Sequence, residues 1–211
     1  MLASVLLGLF LLRAPLLRGL ADLLVTEDPA PHAAHLVLFD GDDRHHHAAE
    51  LYRTGAVCQI LLLERVPERL ETFGILLPAA EVDRRKLQAC GVPNHAIQVL
   101  PGETDDDWDR ARLLQAWLHD HPDARLLLLC KRFGSRRLRY ILGGVHGGEE
   151  ARVHLRALPD RDHDETNWWQ HKDGLLDFFN SFMGLAHTRL AGESPAPRAD
   201  WDPDTYERSL R

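Results

Sequence analysis

Cysteine is scarce in this chain of 211 residues, which limits the chemistry available to it. The three cysteines, Cys58, Cys90 and Cys130, do not have the spacing of zinc ligands. Cys58 and Cys130 border apolar runs and Cys90 ends a predicted helix. We therefore expect buried or half-buried free thiols, with a structural disulfide as the alternative.

Positive charge is in deficit. The chain has 25 Lys and Arg residues against 32 Asp and Glu, a formal net charge of −7. A broad nucleic-acid surface needs a basic stripe, so we expect no nucleic-acid partner. This balance still allows a local basic pocket.

Three familiar motifs are missing. The chain has no G-x-G-x-x-G fingerprint, no P-loop and no internal repeat, so neither glycine-rich phosphate loop is present. His45, His46 and His47 are consecutive, but neighbouring residues on a helix point in different directions. We therefore predict no metal site there.

The apolar N-terminus lacks the length of an ordinary membrane span. Residues 1–12 carry no charge, and Arg13 and Arg18 then interrupt the run. A bilayer core of about 30 Å needs about 20 residues of helix. A basic n-region and a signal-peptidase site are also missing. Three alternatives remain: a single N-terminal membrane anchor, an interfacial amphipathic helix, or a helix packed on the domain. The two arginines favour a cytoplasmic domain without fixing the side of the membrane.

The remaining composition is that of a folded domain, with 45% hydrophobic and 27% charged residues. We divide the chain into an apolar segment at 1–25, a linker at 26–34, an α/β domain at 35–191 and a loosely ordered tail at 192–211. Short apolar runs alternate with helical patterns along the domain. The predicted strands are 35–39, 59–63, 97–100, 125–130 and 153–158, and the predicted helices are 44–54, 67–74, 80–90, 104–119, 135–142 and 168–190.

This alternation predicts a Rossmann-like three-layer α/β/α sandwich with a mostly parallel sheet of about five strands. Ligands of such sheets bind beyond the carboxyl ends of the strands, so the loops after the strands are the candidate site.

The loop after the first strand contains Asp40, Gly41, Asp42 and Arg44. A glycine lets the backbone approach a ligand, and Arg44 offers a bidentate fork to phosphate. The aspartates suit a hydroxyl-rich ligand or a metal better than an anion; alternatively, Asp42 or Asp43 only caps the next helix.

The loop after the third strand contains Gly102, Glu103 and Thr104. Glu103 is a candidate acid, base or hydroxyl binder. Alternatively, Glu103 and Thr104 cap the helix that follows, with Thr104 as its N-cap.

The loop after the fourth strand is rich in cations and includes Arg132, Ser135 and Arg136. Basic residues at a helix start oppose the helix dipole, which favours an anionic ligand as the reason for their presence. A solvated basic patch is the alternative. Ser135 is the expected N-cap and, with Glu103, a weak catalytic candidate, since no histidine base adjoins it.

Together these loops resemble the YdcF-like domain family, which includes the SanA and ElyC envelope proteins. The matching segments are 36–41 (LVLFDG), Arg44, 48–55 (AAELYRTG), 90–93 (CGVP), 101–104 (PGET), 133–137 (FGSRR) and 166–169 (TNWW). The resemblance covers about residues 33–190 and implies a Rossmann-like fold with a pocket between the strand-end loops. It also implies a membrane-anchored protein of cell-envelope biology, and one branch of the family is reported to bind S-adenosylmethionine.

Two positions depart from the family pattern. Asp40 stands where a glycine is common, and Gly134 replaces a usual histidine. Three hypotheses follow, and whether the protein is an enzyme stays open among them. The first is a membrane-associated protein that binds a phosphorylated or nucleotide-like small molecule. The second is a regulatory module that binds S-adenosylmethionine without catalysis, and the third is a structural envelope protein with a vestigial pocket.

Overall fold

The fold is an open parallel sheet with helices on both faces. The computed structural model describes residues 2–29, 34–39, 44–193 and 208. Its strands are β1 Ala34–Leu38, β2 Val57–Arg65, β3 Ile97–Thr104, β4 Leu126–Lys131 and β5 Val153–Leu158. The helices of these described residues are α1 Leu2–Asp22, α2 His45–Arg53, α3 Arg69–Thr72, α4 Ala79–Ala89, α5 Asp107–Asp120, α6 Ser135–His146 and α7 Lys172–Ala191. The predicted fold class is confirmed.

The strand order is β3-β2-β1-β4-β5, and every pairing is parallel. The chain therefore builds the sheet outward from β1 in one direction and then crosses over to build it in the other. The direction changes between β1 and β4, and a crevice opens there at the carboxyl ends of the two strands. This is the topological switch point, where doubly wound sheets bind their ligands.

Both faces of the sheet are apolar. Successive side chains of a strand point to opposite faces, so an unbroken apolar run supplies both cores. On β1, Leu36 and Leu38 join a core under α2 and α4, whereas Val37 joins a core under α5 and α6. Strand β4 is buried from Leu126 to Cys130, as its unbroken apolar run predicts.

A third apolar cluster joins α1 to α7. Ala21 and Leu24 pack against Phe133, Trp168 and Phe178. The indole Nε1 of Trp168 also donates a hydrogen bond to the carbonyl oxygen of Leu17 at 3.2 Å. The last turns of α1 therefore pack on the domain. Among the described residues, none of the helices combines the length and apolar character that crossing a bilayer requires.

Several predicted boundaries were wrong at helix starts. The N-cap of α5 is Asp106, whose side chain accepts from the backbone N–H groups of Trp108 and Asp109, not Thr104. Helix α6 begins at Ser135 with Gly134 as its N-cap, so Ser135 is not the cap. The last helix starts at Lys172, because a separate 3₁₀ turn precedes it.

Strand β3 continues past its predicted end at residue 100 to Thr104. Proline was taken as a stop signal, but β3 is an edge strand, where the missing N–H of Pro101 is tolerated. A register shift between Leu62 and Glu64 on the neighbouring β2 accommodates the extension.

All three cysteines are free thiols. Cys130 is buried and Cys90 is half-buried, as expected, but Cys58 is exposed, which corrects the prediction for that residue. Among the described residues, no group of three or more His, Cys, Asp or Glu side chains is placed to hold a metal ion.

Candidate functional site

Two adjoining clefts lie at the carboxyl ends of the strands. The large cleft measures about 640 Å³ and the small cleft about 280 Å³. The large cleft is lined by Leu38, Phe39, Leu63, Arg65, Glu71, Ile75, Leu76, Leu77, Ala79, Val82, Asp83, Lys86 and Arg110. The small cleft is lined by Phe39, Asp107, Cys130, Lys131, Gly134, Arg137, Leu138, Asp177, Asn180, Ser181 and Gly184.

Phe39, directly after β1, belongs to both linings. The guanidinium of Arg110 lies over its ring at 5.4 Å and donates a hydrogen bond to its carbonyl oxygen at 3.2 Å. The two clefts therefore adjoin at a wall built on the end of β1 and on α5.

A charged chain runs along that wall. Asp107 accepts a hydrogen bond from Arg110 Nη1 at 3.3 Å through Oδ1, and one from Arg137 Nη1 at 2.7 Å through Oδ2. Arg137 Nε also donates to the hydroxyl of Thr188 at 2.9 Å. One carboxylate thus holds a guanidinium at each cleft.

The small cleft has walls of opposite charge. Lys131 and Arg137 lie at the end of β4 and the start of α6, while Asp177, Asn180 and Ser181 come from α7. Helix α6 also directs the positive end of its dipole toward this cleft through Gly134. The arrangement favours a ligand that carries both an anionic group and a hydrogen-bond donor.

A glycine lets α7 approach α6 beside the small cleft. A Cβ on Gly184 would lie 3.4 Å from Arg137 Cδ, so a larger residue would press on the guanidinium stem. The polar positions 177, 180 and 181 and Gly184 recur at the spacing of one helix face, which turns them together toward the cleft.

The large cleft is covered by an apolar flap, residues 66–77, between β2 and α4. Its large apolar side chains are 42% to 67% exposed: Val66, Leu70, Phe73, Ile75, Leu76 and Leu77. Clustered apolar exposure of this kind marks a binding surface. Ile75, Leu76 and Leu77 face Leu38 and Leu63 across the cleft, which suits a flat apolar group.

The flap is fixed at its base by Arg65. The guanidinium pairs with Glu68 and donates to Glu71 Oε1 at 2.6 Å, and Glu71 is almost fully buried. The pKa of Arg65 is raised, first by the hydrogen bond to Glu68. Helix α3 is further closed by a reciprocal capping box between Glu68 and Glu71.

The far side of the large cleft is polar. Buried His45 Nε2 hydrogen-bonds Asp83 Oδ1 at 2.9 Å, and Lys86 follows one turn later on α4. The first histidine of the triplet therefore holds a carboxylate at the cleft.

The predicted site residues are divided among three places. Asp40, Gly41 and Asp42 lie outside the described residues. Arg44 is buried at the start of α2. Gly102, Glu103 and Thr104 lie on the extended β3, where Thr104 donates to the carbonyl oxygen of Glu64 at 2.8 Å. None of the last four lines either cleft.

Ser135 and Arg136, which follow the loop after β4, bind the N-terminal segment and line neither cleft. Ser135 is fully buried, accepts a hydrogen bond from the Thr26 backbone N–H at 2.9 Å and donates to the Arg132 carbonyl oxygen at 2.7 Å. Arg136 Nη2 donates to the carbonyl oxygens of Asp22 and Val25 at 3.2 and 2.6 Å.

Arg132 is neutralised by acidic partners. It forms a bidentate pair with Glu165, with both N···O distances 2.5 Å, and lies 3.6 Å from Glu27. The hydrogen bond from Arg132 lowers the pKa of Glu165. Arg44 and Arg136, which we expected to converge on the ligand, are thus both absent from the cleft linings.

Sequence reasoning missed Arg110, Asp177 and the flap as site elements. The polar stripe on α7 was detectable from its i, i+3, i+4, i+7 spacing. The flap was predicted as a helix at 67–74, but only Arg69–Thr72 is helical, and the exposed apolar residues around it were not recognised as a cleft wall.

Comparisons of the chain with protein-family models, with curated proteins and with solved structures find no significant match. The resemblance to the YdcF-like family stays a prediction based on the order of the strand-end motifs.

Proposed function

We propose that this protein binds a phosphorylated, nucleotide-like small molecule across the two clefts. The observation that carries the proposal is the shared wall at Phe39, which joins a large cleft with one apolar side to a small cleft that holds Lys131 and Arg137. A nucleotide has the same two parts, an apolar ring and an anionic end.

The location supports this assignment. Both clefts lie at the carboxyl ends of parallel strands, and the small one lies at the switch point between β1 and β4. Their volumes fall within or near the range of about 300–1,000 Å³ typical of small-molecule sites.

The charge distribution supports an anion in the small cleft. Arg137 uses Nε and Nη1 for Thr188 and Asp107, and within the described chain Nη2 makes no hydrogen bond. A guanidinium has five N–H donors, so a phosphate finds donors there without displacing Asp107. Lys131 adds a second positive charge.

The alternative ligand, S-adenosylmethionine, carries a positively charged sulfonium. The acidic groups Asp83 and Asp177 favour such a ligand, whereas the cations of the small cleft oppose it. The phosphorylated ligand is therefore the better fit.

We also propose, with the family resemblance, that the chain associates with a membrane surface as part of cell-envelope biology. Leu12, Leu16, Leu20 and Leu23 recur along one side of α1 and its end, and each is about half exposed or more. Such a stripe suits an interfacial helix. Co-sedimentation with anionic vesicles, lost in a Leu16→Asp, Leu20→Asp variant, tests this part.

Calorimetry on the full chain tests the ligand. The titrants are adenosine and uridine 5′-diphosphate, adenosine, inorganic phosphate and S-adenosylmethionine. We expect a diphosphate to bind more tightly than adenosine or phosphate alone. Arg137→Ala should weaken it about tenfold or more, since one charge-assisted hydrogen bond contributes about 1.5–3 kcal/mol.

Arg85→Ala is the matched control, because Arg85 is an exposed cation paired with Glu81 on α4. It should bind as the wild type does. Equal affinity of the wild type and Arg137→Ala, or binding of S-adenosylmethionine alone, would overturn the proposal.

A further inference from the structure

The acidic wall of the small cleft is supported from behind by a buried histidine. His163 is 5% exposed, and its Nε2 lies 3.3 Å from Asp177 Oδ2. Its ring also stacks on Phe133 at a centroid distance of 6.2 Å. An ionised carboxylate only accepts hydrogen bonds, so the proton of this bond is on Nε2 and points at Asp177.

This contact leaves one oxygen of Asp177 for the cleft. Within the described part of the chain, Asp177 Oδ1 and the side chains of Asn180 and Ser181 make no hydrogen bond, although all three residues line the small cleft. The side chain of Asp177 is 28% exposed, so water can satisfy this oxygen and a donor on a ligand can replace that water.

The opposite wall carries two cations beside Asp107. Lys131 and Arg137 offer N–H groups to an anion, while Asp177 offers an acceptor on the other side of the same cleft of about 280 Å³. A ligand that satisfies both walls has an anionic group with a hydroxyl or ammonium donor a few bonds away.

We propose that Asp177 is the specificity-determining residue of this site, and that it accepts a hydrogen bond from a hydroxyl of the ligand's phosphorylated sugar. His163 is its positioning residue. The inference rests on the proposed function and narrows it to sugar phosphates with a free hydroxyl, of which the ribonucleotides are one class. An amide at position 177 would present a donor on one side and would lose the charge.

The structure of the helix supports this role. Asp177 lies one turn before Ser181 on α7, and the small residue Gly184 completes the same face. Gly174 anchors the start of this helix, since a Cβ there would lie 2.4 Å from the Trp168 carbonyl oxygen. The close packing of Gly174 on the Trp168 backbone therefore fixes the start of α7 and, with it, the position of Asp177 one turn later.

The test changes the ligand first. Adenosine and uridine 5′-diphosphate are titrated into the full chain beside their 2′-deoxy, 3′-deoxy and 2′,3′-dideoxy analogues. We expect the dideoxy form to bind about tenfold or more weakly, the effect of losing one hydrogen bond to a charged group. This comparison needs no variant and so does not depend on a mutant folding.

Asp177→Asn and the dideoxy ligand together form a double-mutant cycle, in which one change is made in the protein and the other in the ligand. It should bind the parent diphosphate about as weakly as the wild type binds the dideoxy form, and it should no longer distinguish the two. His163→Gln should reduce the discrimination and leave the dideoxy affinity unchanged. Asp173→Asn is the control, because Asp173 is an exposed carboxylate one turn earlier that lines neither cleft.

The outcomes separate the two proposals. If a diphosphate binds, depends on Arg137 and tolerates loss of both hydroxyls, the role of Asp177 is wrong and the proposed function stands. If Asp177→Asn still binds the parent diphosphate more tightly than the dideoxy form, the role of Asp177 is also wrong and the proposed function stands. If no diphosphate binds, both proposals fail.

Discussion

Arg136 Nη2 donates a hydrogen bond to the carbonyl oxygen of Val25 at 2.6 Å, across 111 residues of chain. Its neighbour Arg137 instead pairs with Asp107 at the small cleft. Two consecutive arginines of α6 therefore serve different parts of the molecule, one the N-terminal segment and one the candidate site.

Because the two arginines serve different parts of the molecule, we expect their alanine variants to have different effects. Arg136→Ala should lower the free energy of unfolding by about 1–2 kcal/mol, because charged donors to two backbone carbonyls are lost. It should also speed proteolysis of residues 22–29 and leave diphosphate affinity unchanged. Arg137→Ala should weaken the ligand and leave proteolysis unchanged. Limited proteolysis and calorimetry on both variants check this, and the same response from both would contradict it.

The Arg132–Glu165 pair predicts an acid-dependent loss of stability. Because the folded-state pKa of Glu165 is lowered, its contribution is complete above its ordinary pKa of about 4.3 and is lost as the pH falls toward the lower folded value. Glu165→Gln should therefore be less stable than the wild type at pH 7 by about 1–2 kcal/mol. The difference should shrink on acidification below about pH 4.3.

Chemical denaturation between pH 7 and pH 3 measures that difference. Glu81→Gln on exposed α4 is the comparison, and it should cost about 0–1 kcal/mol at pH 7. A constant gap between Glu165→Gln and the wild type at every pH would show that the pair contributes nothing through ionisation.

Gly174 and Gly134 should differ strongly in how far alanine at each position lowers stability. At Gly174 a Cβ would lie 2.4 Å from the Trp168 carbonyl oxygen, which is backbone and cannot move aside, so we expect a loss of about 3 kcal/mol or more. At Gly134 the nearest atom is 3.6 Å away and φ is −80°, so alanine should change stability by at most about 0.5 kcal/mol. Thermal unfolding of both variants tests the pair, and equal melting temperatures would refute it.

Loss of the Arg65 anchor should loosen the flap without unfolding the domain. Arg65→Gln leaves the buried carboxylate of Glu71 without its cation, so local opening of residues 68–76 should become easier by about 1–3 kcal/mol. Hydrogen exchange followed by mass spectrometry measures this opening. Exchange in β4 should stay at the wild-type rate, and faster exchange there would indicate global destabilisation instead.

The fold class was predictable because the strands and most helices have a recognisable pattern of apolar residues in the local sequence. The alternation of apolar runs and helical patterns indicated a parallel sheet, and the buried run at β4 was recognised from its continuous apolar character. Strand ends were harder: Pro101 looked like a stop, and only its place on an edge strand allows β3 to continue.

Sequence analysis placed the candidate residues at the carboxyl ends of the strands, where both clefts lie, but the predicted cations Arg132 and Arg136 line neither cleft. Local sequence showed basic residues entering α6, and nothing in that pattern shows which of them meet a distant segment. Ser135 and Arg136 bind backbone groups that are more than 100 residues away in the sequence, so residue spacing could not predict their partners. The α7 stripe, by contrast, is local and was available to sequence analysis.

The shared carboxylate of Asp107 makes the two clefts thermodynamically dependent on each other. An anion bound at Nη2 of Arg137 shares that guanidinium with Asp107, and Asp107 also holds Arg110 over Phe39 in the large cleft. By linkage, a group in the large cleft that moves Arg110 alters anion affinity in the small one by the same factor. We therefore expect the affinity of an anion such as inorganic phosphate to change when an apolar ring such as adenosine is also present, and calorimetry with each alone and with both measures this change.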